Sequence, residues 1–344
     1  MGVDAQLATG TATGIGEYVR GLVPALRERG LDVVELHAAR LDPWRFDRRV
    51  LWDQAGLPLA AARAGVDLLH CAAGTMPFAP GLPVVVTVHD VAWLRVQAHA
   101  RPYARAYFGK AMLGRYRSAR GIIVDSAFSR DELLAVAPLD PARISVVYPG
   151  VAGDVMRVVR APDRADPFVL AVGTVERRKN LALLVRAVAR VPGIRLVSAG
   201  PPTPYLAECV ALARELGVAG RVEFRGYVPR AVLLDLYARA LVAAVPSRYE
   251  GFGYGAAQAL CAGVPLLCAN TSSLPEVVGD AAPLLDPDDV EAWAAGIAAR
   301  LAAAADPRSA ADGTRAAAAR ARFGWAASSA AAVTAYATAL LRAP

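Results

Sequence analysis

Two tandem doubly wound α/β domains are the fold this sequence predicts, and three observations carry the expectation. Through the first half, short apolar runs alternate with longer amphipathic segments, a pattern that implies a parallel sheet covered on both faces. After Tyr148-Pro149-Gly150 the alternation gives way to a stretch rich in Pro, Asp and Arg, and from Phe168 it restarts. The chain has 344 residues, enough for two domains that each bury a core of their own. Tandem domains of this kind put the carboxyl ends of two sheets, where such folds bind ligands, across one cleft.

In chain order, the expected strands of the first domain are Val33–Leu36, Leu68–His70, Val84–Val88, Gly121–Val124 and Ile144–Val147, with helices between them. A strand at Val3–Ala8 is interrupted by Asp4 and Gln6, and the first helix is expected at Glu17–Glu28. Residues 151–167 lack periodicity and read as a linker. The second set of strands is Phe168–Val172, Arg195–Ala199, Val222–Phe224, Leu241–Val245 and Leu266–Ala269. The alanine-rich end keeps Trp293, Ile297, Leu301, Phe323, Trp325, Tyr336 and Leu340 at intervals, which a disordered tail would not, so packed helices are expected there.

Composition excludes several classes. No run approaches the ~18 apolar residues of a spanning helix, and the start of the sequence lacks the basic-then-apolar pattern of a secretory signal. The four cysteines make no Cys-x-x-Cys or Cys/His metal spacing, and buried thiols in a reducing cytoplasm are expected. The net charge of +7 is spread over both halves and does not point to nucleic acid. One local concentration stands out between Arg95 and Arg120, where Arg101, Arg105, Lys110, Arg115 and Arg117 interleave with Tyr103, Tyr107, Phe108, Met112, Leu113 and Tyr116 without an acid. Such a basic amphipathic helix can rest on an anionic membrane, or equally pack on its own domain with a solvated basic face.

The chemistry concentrates in Pro246-Ser247-Arg248-Tyr249-Glu250-Gly251-Phe252-Gly253-Tyr254-Gly255-Ala256-Ala257-Gln258-Ala259. It joins an apolar strand to a helix of small residues through a glycine turn, a layout that suits an anion because the first helical N–H groups are unpaired. Glu250 cannot ligate a phosphate, and its carboxylate is suited to accept hydrogen bonds from hydroxyls. Gln258 follows two turns into the helix.

This stretch resembles the Glu-x7-Glu signature of glycosyltransferase family 4, retaining enzymes that use nucleotide sugars and have the GT-B fold of two Rossmann-like domains. The resemblance implies that Glu250 contacts the donor hexose and that the amides of Gly251, Phe252 and Gly253 face sugar and diphosphate. It also implies that Gln258, in place of the second Glu, meets the ribose. Domains follow at 1–160, on the acceptor side, and 161–324, holding the donor, with 325–344 crossing back to the first.

Further stretches extend the likeness. Thr9-Gly10-Thr11-Ala12-Thr13-Gly14-Ile15-Gly16 has the glycine spacing of a dehydrogenase cofactor loop, but Tyr107-Phe108-Gly109-Lys110 is one residue short of the Tyr-x3-Lys pair. Glycines there permit close approach of backbone to a diphosphate, and the family resemblance puts Gly14 and Gly16 near donor phosphate or acceptor. His89 ends the strand Val84–Val88 at the edge where ligand contacts concentrate; a bond to a nearby carbonyl is the plainer role, and the resemblance implies an approach to the donor sugar. Gly173-Thr174-Val175-Glu176-Arg177-Arg178-Lys179-Asn180 follows the first strand of the second domain, and the chain uses lysine only here and at Lys110. An ammonium beside a guanidinium can clamp a diphosphate. By resemblance Arg178 and Lys179 neutralise the leaving group beside Gly173, and Gly226-Tyr227-Val228-Pro229 frames the base through Tyr227. Asn270–Ala281 and Asp125-Ser126-Ala127-Phe128-Ser129 also resemble family elements.

The implied activity is metal-independent, retaining transfer of a hexose from a nucleoside diphosphate sugar, as co-substrate, to a hydroxyl of a glycan or lipid-linked acceptor. No cofactor is implied; the location is cytoplasmic, with peripheral membrane contact through Arg95–Arg120. A GT-B-shaped binding module with little turnover is the alternative, supported by Gln258, Thr174 and Tyr254-Gly255.

Overall fold

The computed structural model describes residues 1–9, 14–42, 44–95, 103, 105–305 and 313–342. The chain forms two compact units, Met1–Gly150 with Gly324–Pro344, and Val151–Phe323. Each is a parallel sheet with helices between successive strands, the two Rossmann-like domains of a GT-B fold.

In the first unit the strands are β1 (Gly2–Asp4), β2 (Val34–Leu36), β3 (Leu69–Cys71), β4 (Val84–Val88), β5 (Gly121–Val124) and β6 (Ile144–Val146), ordered β2-β1-β3-β4-β5-β6. Side chains alternate across the sheet. Val85 and Ile123 pack with Tyr18, Leu22, Leu26 and Tyr336, while Val84, Val86, Val88, Ile122 and Val124 pack with Trp52, Met112 and Tyr116 on the other face.

The interrupted strand at the start is real but shorter, since β1 pairs with both β2 and β3. Asp4 ends it fully buried and is tolerated there because it is paired: its carboxylate accepts from Arg49 Nη2 at 3.0 Å and Trp52 Nε1 at 2.8 Å. Gln6 is satisfied by the Ala38 amide and the Leu41 carbonyl, both at 2.7 Å. The following helix starts at Gly14, not Glu17, so Gly14 and Gly16 lie in its first turn. Residues 10–13 of the glycine loop lie outside the described residues.

Helix Trp325–Leu341 belongs to this first unit. Its Trp325 indole lies against Gly21 and Gly150, where an added Cβ would come within 2.0 and 2.2 Å of ring atoms. Tyr336 OH meets His70 Nδ1 at 2.9 Å, and His70 Nε2 meets Thr87 Oγ1 at 2.7 Å, tying the helix to β3 and β4. Burial pulls the His70 pKa down to about 3, so this bridge is neutral.

The second unit holds β7 (Phe168–Val172), β8 (Arg195–Ala199), β9 (Val222–Phe224), β10 (Val242–Val245), β11 (Leu266–Ala269) and β12 (Leu284–Leu285), ordered β12-β11-β10-β7-β8-β9. Counted within the unit this is the 3-2-1-4-5-6 order of dinucleotide-binding folds, with its switch point between β7 and β10. The whole of the expected linker is part of this unit, and the division falls after Gly150 instead of after Arg160. Residues Gly153–Met156 form a helix, Asp154 pairs with Arg230 at 2.5 Å, and the half-buried Arg160 guanidinium donates to the Ala238 carbonyl at 2.9 Å.

Candidate active site

The switch point of the second unit gathers the charged residues. The loop after β7 carries Gly173 to Lys179, and the loop after β10 carries Pro246 to Gly253. Because β7 and β10 are hydrogen-bonded neighbours, residues about 70 positions apart meet at one carboxyl edge. Gly173 has φ +132°, a backbone conformation that L side chains rarely adopt, and the Lys179 stem passes 3.7 Å from where a Cβ would sit. Lys179 Nζ donates to Glu250 Oε1 at 2.6 Å, and Arg178 Nη1 donates to Glu250 Oε2 at 3.2 Å and to the Tyr249 carbonyl at 3.1 Å. Arg178 Nη2 also pairs with Glu176 at 2.7 Å.

Glu250 is buried, with a side chain 7% exposed, yet its carboxyl is held below the usual range. Burial alone would raise it; Lys179 and Arg178 outweigh burial, helped by the Ser247 hydroxyl that donates at 2.7 Å. Its backbone is fixed as firmly, because Glu250 N–H donates to Ser272 Oγ at 2.9 Å and Ser273 Oγ donates to the Glu250 carbonyl at 2.9 Å. Ser272 adopts φ +50° to make that contact, a left-handed conformation that a serine holds only under constraint. Gly253, at φ +95°, starts helix Tyr254–Cys261.

A cavity of about 30 Å³ opens here, lined by Gly173, Thr174, Lys179, Ser247, Glu250 and Gly255 among others. A larger one, about 480 Å³, touches Leu241 and Leu266 at the amino ends of β10 and β11. Doubly wound sheets bind ligands at the carboxyl edge, so the smaller cavity is the one at the candidate site.

Among the other expected contacts, Gln258 is buried and its Oε1 accepts from the Tyr237 hydroxyl at 3.0 Å. Part of its capacity is therefore spent inside the unit. Phe252 packs edge-on against Phe323 at 5.6 Å, and Tyr227 is 55% exposed.

In the first unit His89 follows β4. Its Nδ1 lies 2.7 Å from Asp125 Oδ2, its Nε2 lies 2.9 Å from the Ala72 carbonyl, and the Tyr18 ring stands edge-on at 5.2 Å. Burial lowers its pKa, but the Asp125 carboxylate and the two hydrogen bonds more than offset it and hold it at about 9.

Residues 12–154 match the family model "Glycosyltransferase Family 4", and residues 154–316 match "Glycosyl transferases group 1". The D-inositol 3-phosphate glycosyltransferase of Mycolicibacterium paratuberculosis is 32% identical, over 93% of this chain and 84% of that one. The chain belongs to glycosyltransferase family 4. Two solved structures share the fold of this family 4 protein over 98% of both chains. They are sucrose-phosphate synthase from Thermosynechococcus elongatus, with TM-score 0.77 at 22% identity, and Anabaena HepE in complex with UDP and glucose, with TM-score 0.72 at 18% identity.

In this family 4 glycosyltransferase the structure joins Gly173, Arg178, Lys179 and Glu250 in one cluster and sets Gly251 to Gly253 beside it. Gly14, Gly16 and His89 belong to the other unit. Sequence reasoning passed over Asp125, Tyr237, Ser247, Ser272 and Ser273. Asp125, Ser247, Ser272 and Ser273 stood inside quoted motifs, but nothing in their spacing marks the partners they reach. Among the described residues, no group of three His, Cys, Asp or Glu could hold a metal ion.

Half of the Arg95–Arg120 segment also differs from a free amphipathic helix; residues 96–102 and 104 lie outside the described residues. Met112 and Tyr116 are buried, the Tyr116 hydroxyl donates to the Gly74 carbonyl at 2.6 Å, and the Tyr107 hydroxyl donates to Asp53 at 2.9 Å. Much of the apolar face is thus spent on the unit's own core, while Arg105, Lys110 and Arg117 stay exposed. No helix among the described residues is long and apolar enough to cross a membrane.

Proposed function

We propose that this glycosyltransferase moves a hexose from a nucleoside diphosphate sugar to a hydroxyl of a glycan or lipid-linked acceptor, with retention and without a metal. The observation that carries the reading is the buried Glu250 carboxylate held by Lys179 and Arg178 at the switch point. As the glycosidic bond breaks, negative charge grows on the diphosphate, and two cations fixed in a shielded site oppose it as an oxyanion hole does. Glu250 then accepts from sugar hydroxyls.

A panel of nucleoside diphosphate hexoses tests this, with anomer-resolved NMR of the product and EDTA in parallel. The name of the mycobacterial relative puts inositol phosphates among the acceptors to try. Transfer with retention in EDTA is the expected result, and an inverted product or loss of activity in EDTA refutes that part. A donor that binds without turnover supports a second reading, a weakly catalytic sugar-nucleotide binder, which Gln258 and its bond to Tyr237 favour.

The basic face of the Arg95–Arg120 segment supports peripheral contact with a membrane carrying the acceptor. With the apolar face largely used, this contact is electrostatic. The protein is expected to sediment with anionic vesicles at low salt and to be released at about 0.5 M salt, where the Debye length falls to a few ångströms. Equal recovery with neutral vesicles counts against it.

A further inference from the structure

The carboxyl ends of three adjacent strands, β3, β4 and β5, close on one imidazole. Ala72 follows β3, His89 follows β4 and Asp125 follows β5, so the contacts to Nε2 at 2.9 Å and Nδ1 at 2.7 Å come from opposite sides. A backbone carbonyl only accepts, and so does an ionised carboxylate. Each ring nitrogen therefore needs its own hydrogen, and neither is left to face a ligand. The His89 backbone is held as well, since Ser129 Oγ donates to the His89 carbonyl at 3.1 Å.

We propose that Asp125 is a positioning residue that fixes His89 with both N–H groups turned into the protein, making His89 a standing positive charge and not a proton carrier. The inference rests on the transfer reading above and narrows it: His89 contributes field to the reaction, and the acceptor proton goes elsewhere. Among the groups facing the ring, Asp90 is a second acid, His70 is kept neutral by burial, and burial keeps the Tyr18 hydroxyl protonated. Burial also raises the pKa of the Asp125 carboxyl, and the contact with His89 is what opposes that rise. The buried Asp125 Oδ1 has no hydrogen-bond partner among the described residues, so the contact with His89 is the main compensation for this carboxylate.

The test is ring NMR of histidine-labelled protein, tractable because the chain has four histidines, with a pH–rate profile alongside. In the wild type the His89 ring stays doubly protonated until about pH 9, and the rate shows no His limb between pH 6 and 8. In Asp125→Asn the midpoint falls to about 6.5 or below, and kcat gains a limb that drops about tenfold per pH unit above it, with KM little changed. The sign for stability follows. A raised histidine pKa stabilises fully below the unfolded value of about 6.5, and the contribution is lost as pH rises through about 9.

A wild-type ring that titrates between pH 6 and 7 overturns the proposal without recourse to any variant. So does an Asp125→Asn protein whose titration and rate profile superimpose on the wild type. If no donor is turned over, the transfer reading fails visibly on its own, while the ring titration still decides the role of Asp125.

Discussion

Glu250→Ala is expected to lower hexose transfer by about 10²–10³-fold while the protein stays folded. Glu250 is joined to both cations of the site, Lys179 at 2.6 Å and Arg178 at 3.2 Å. Truncation removes the acceptor for sugar hydroxyls and leaves two positive charges without their shared partner. Those charges are not stranded, because Arg178 keeps Glu176 at 2.7 Å and both side chains are about a quarter exposed. The cost to stability is therefore about 1–3 kcal/mol, below the full cost of an orphaned buried ion. Initial rates with saturating donor, and a thermal melt of the same sample, check both parts. Glu250→Gln keeps the shape and an oxygen that still accepts from hydroxyls but not the charge, so a rate near wild type in that variant would remove the charge of Glu250, and not its hydrogen bonding, from the reaction.

Lys179→Met is expected to lower kcat/KM by about 10²-fold and to move the acid limb of stability toward neutral pH. Lys179 is the closer of the two cations and the largest influence that opposes burial at Glu250. In the wild type the Glu250 pKa is depressed, so its contribution to stability is present above the unfolded value of about 4.3 and is lost as pH falls through the lower folded value. Without Lys179, Arg178 and Ser247 alone oppose burial and the folded pKa rises toward the unfolded one. Glu250 then contributes less stability above about pH 4.3, and the melting temperature gains less between pH 4 and 7 than it does in the wild type. Melting curves across that range, with donor titrations at pH 7, measure both effects. Identical pH dependence of the two proteins would mean that Arg178 alone governs Glu250.

Much of the second unit was legible in the sequence. Glycine turns, a lone lysine among arginines and a carboxylate before a helix of small residues are local features, and local chemistry leaves a local record. The first unit was harder to read. Asp4 and Gln6 look like breaks in a strand because the side chains that satisfy them lie far along the chain, Arg49 and Trp52 for one and the backbone of Ala38 and Leu41 for the other. The basic segment left membrane contact and packing on its own domain equally open because periodicity does not say which core takes up its aromatics, and Tyr107 and Tyr116 turn inward to Asp53 and Gly74.

The sequence by itself determined the two α/β units, the residue types at the switch point and the family to which they belong. Strand alternation and glycine spacing need only neighbours in the chain. Tertiary structure alone decided that Lys179 and Arg178 close on Glu250, because that depends on β7 and β10 lying side by side. It likewise decided that Asp125 and Ala72 take both nitrogens of His89, since β3, β4 and β5 are adjacent in the sheet but not in the sequence. Charge and hydrogen bonding act over a few ångströms of space, and strand order converts separations of 17 to 72 residues into that distance.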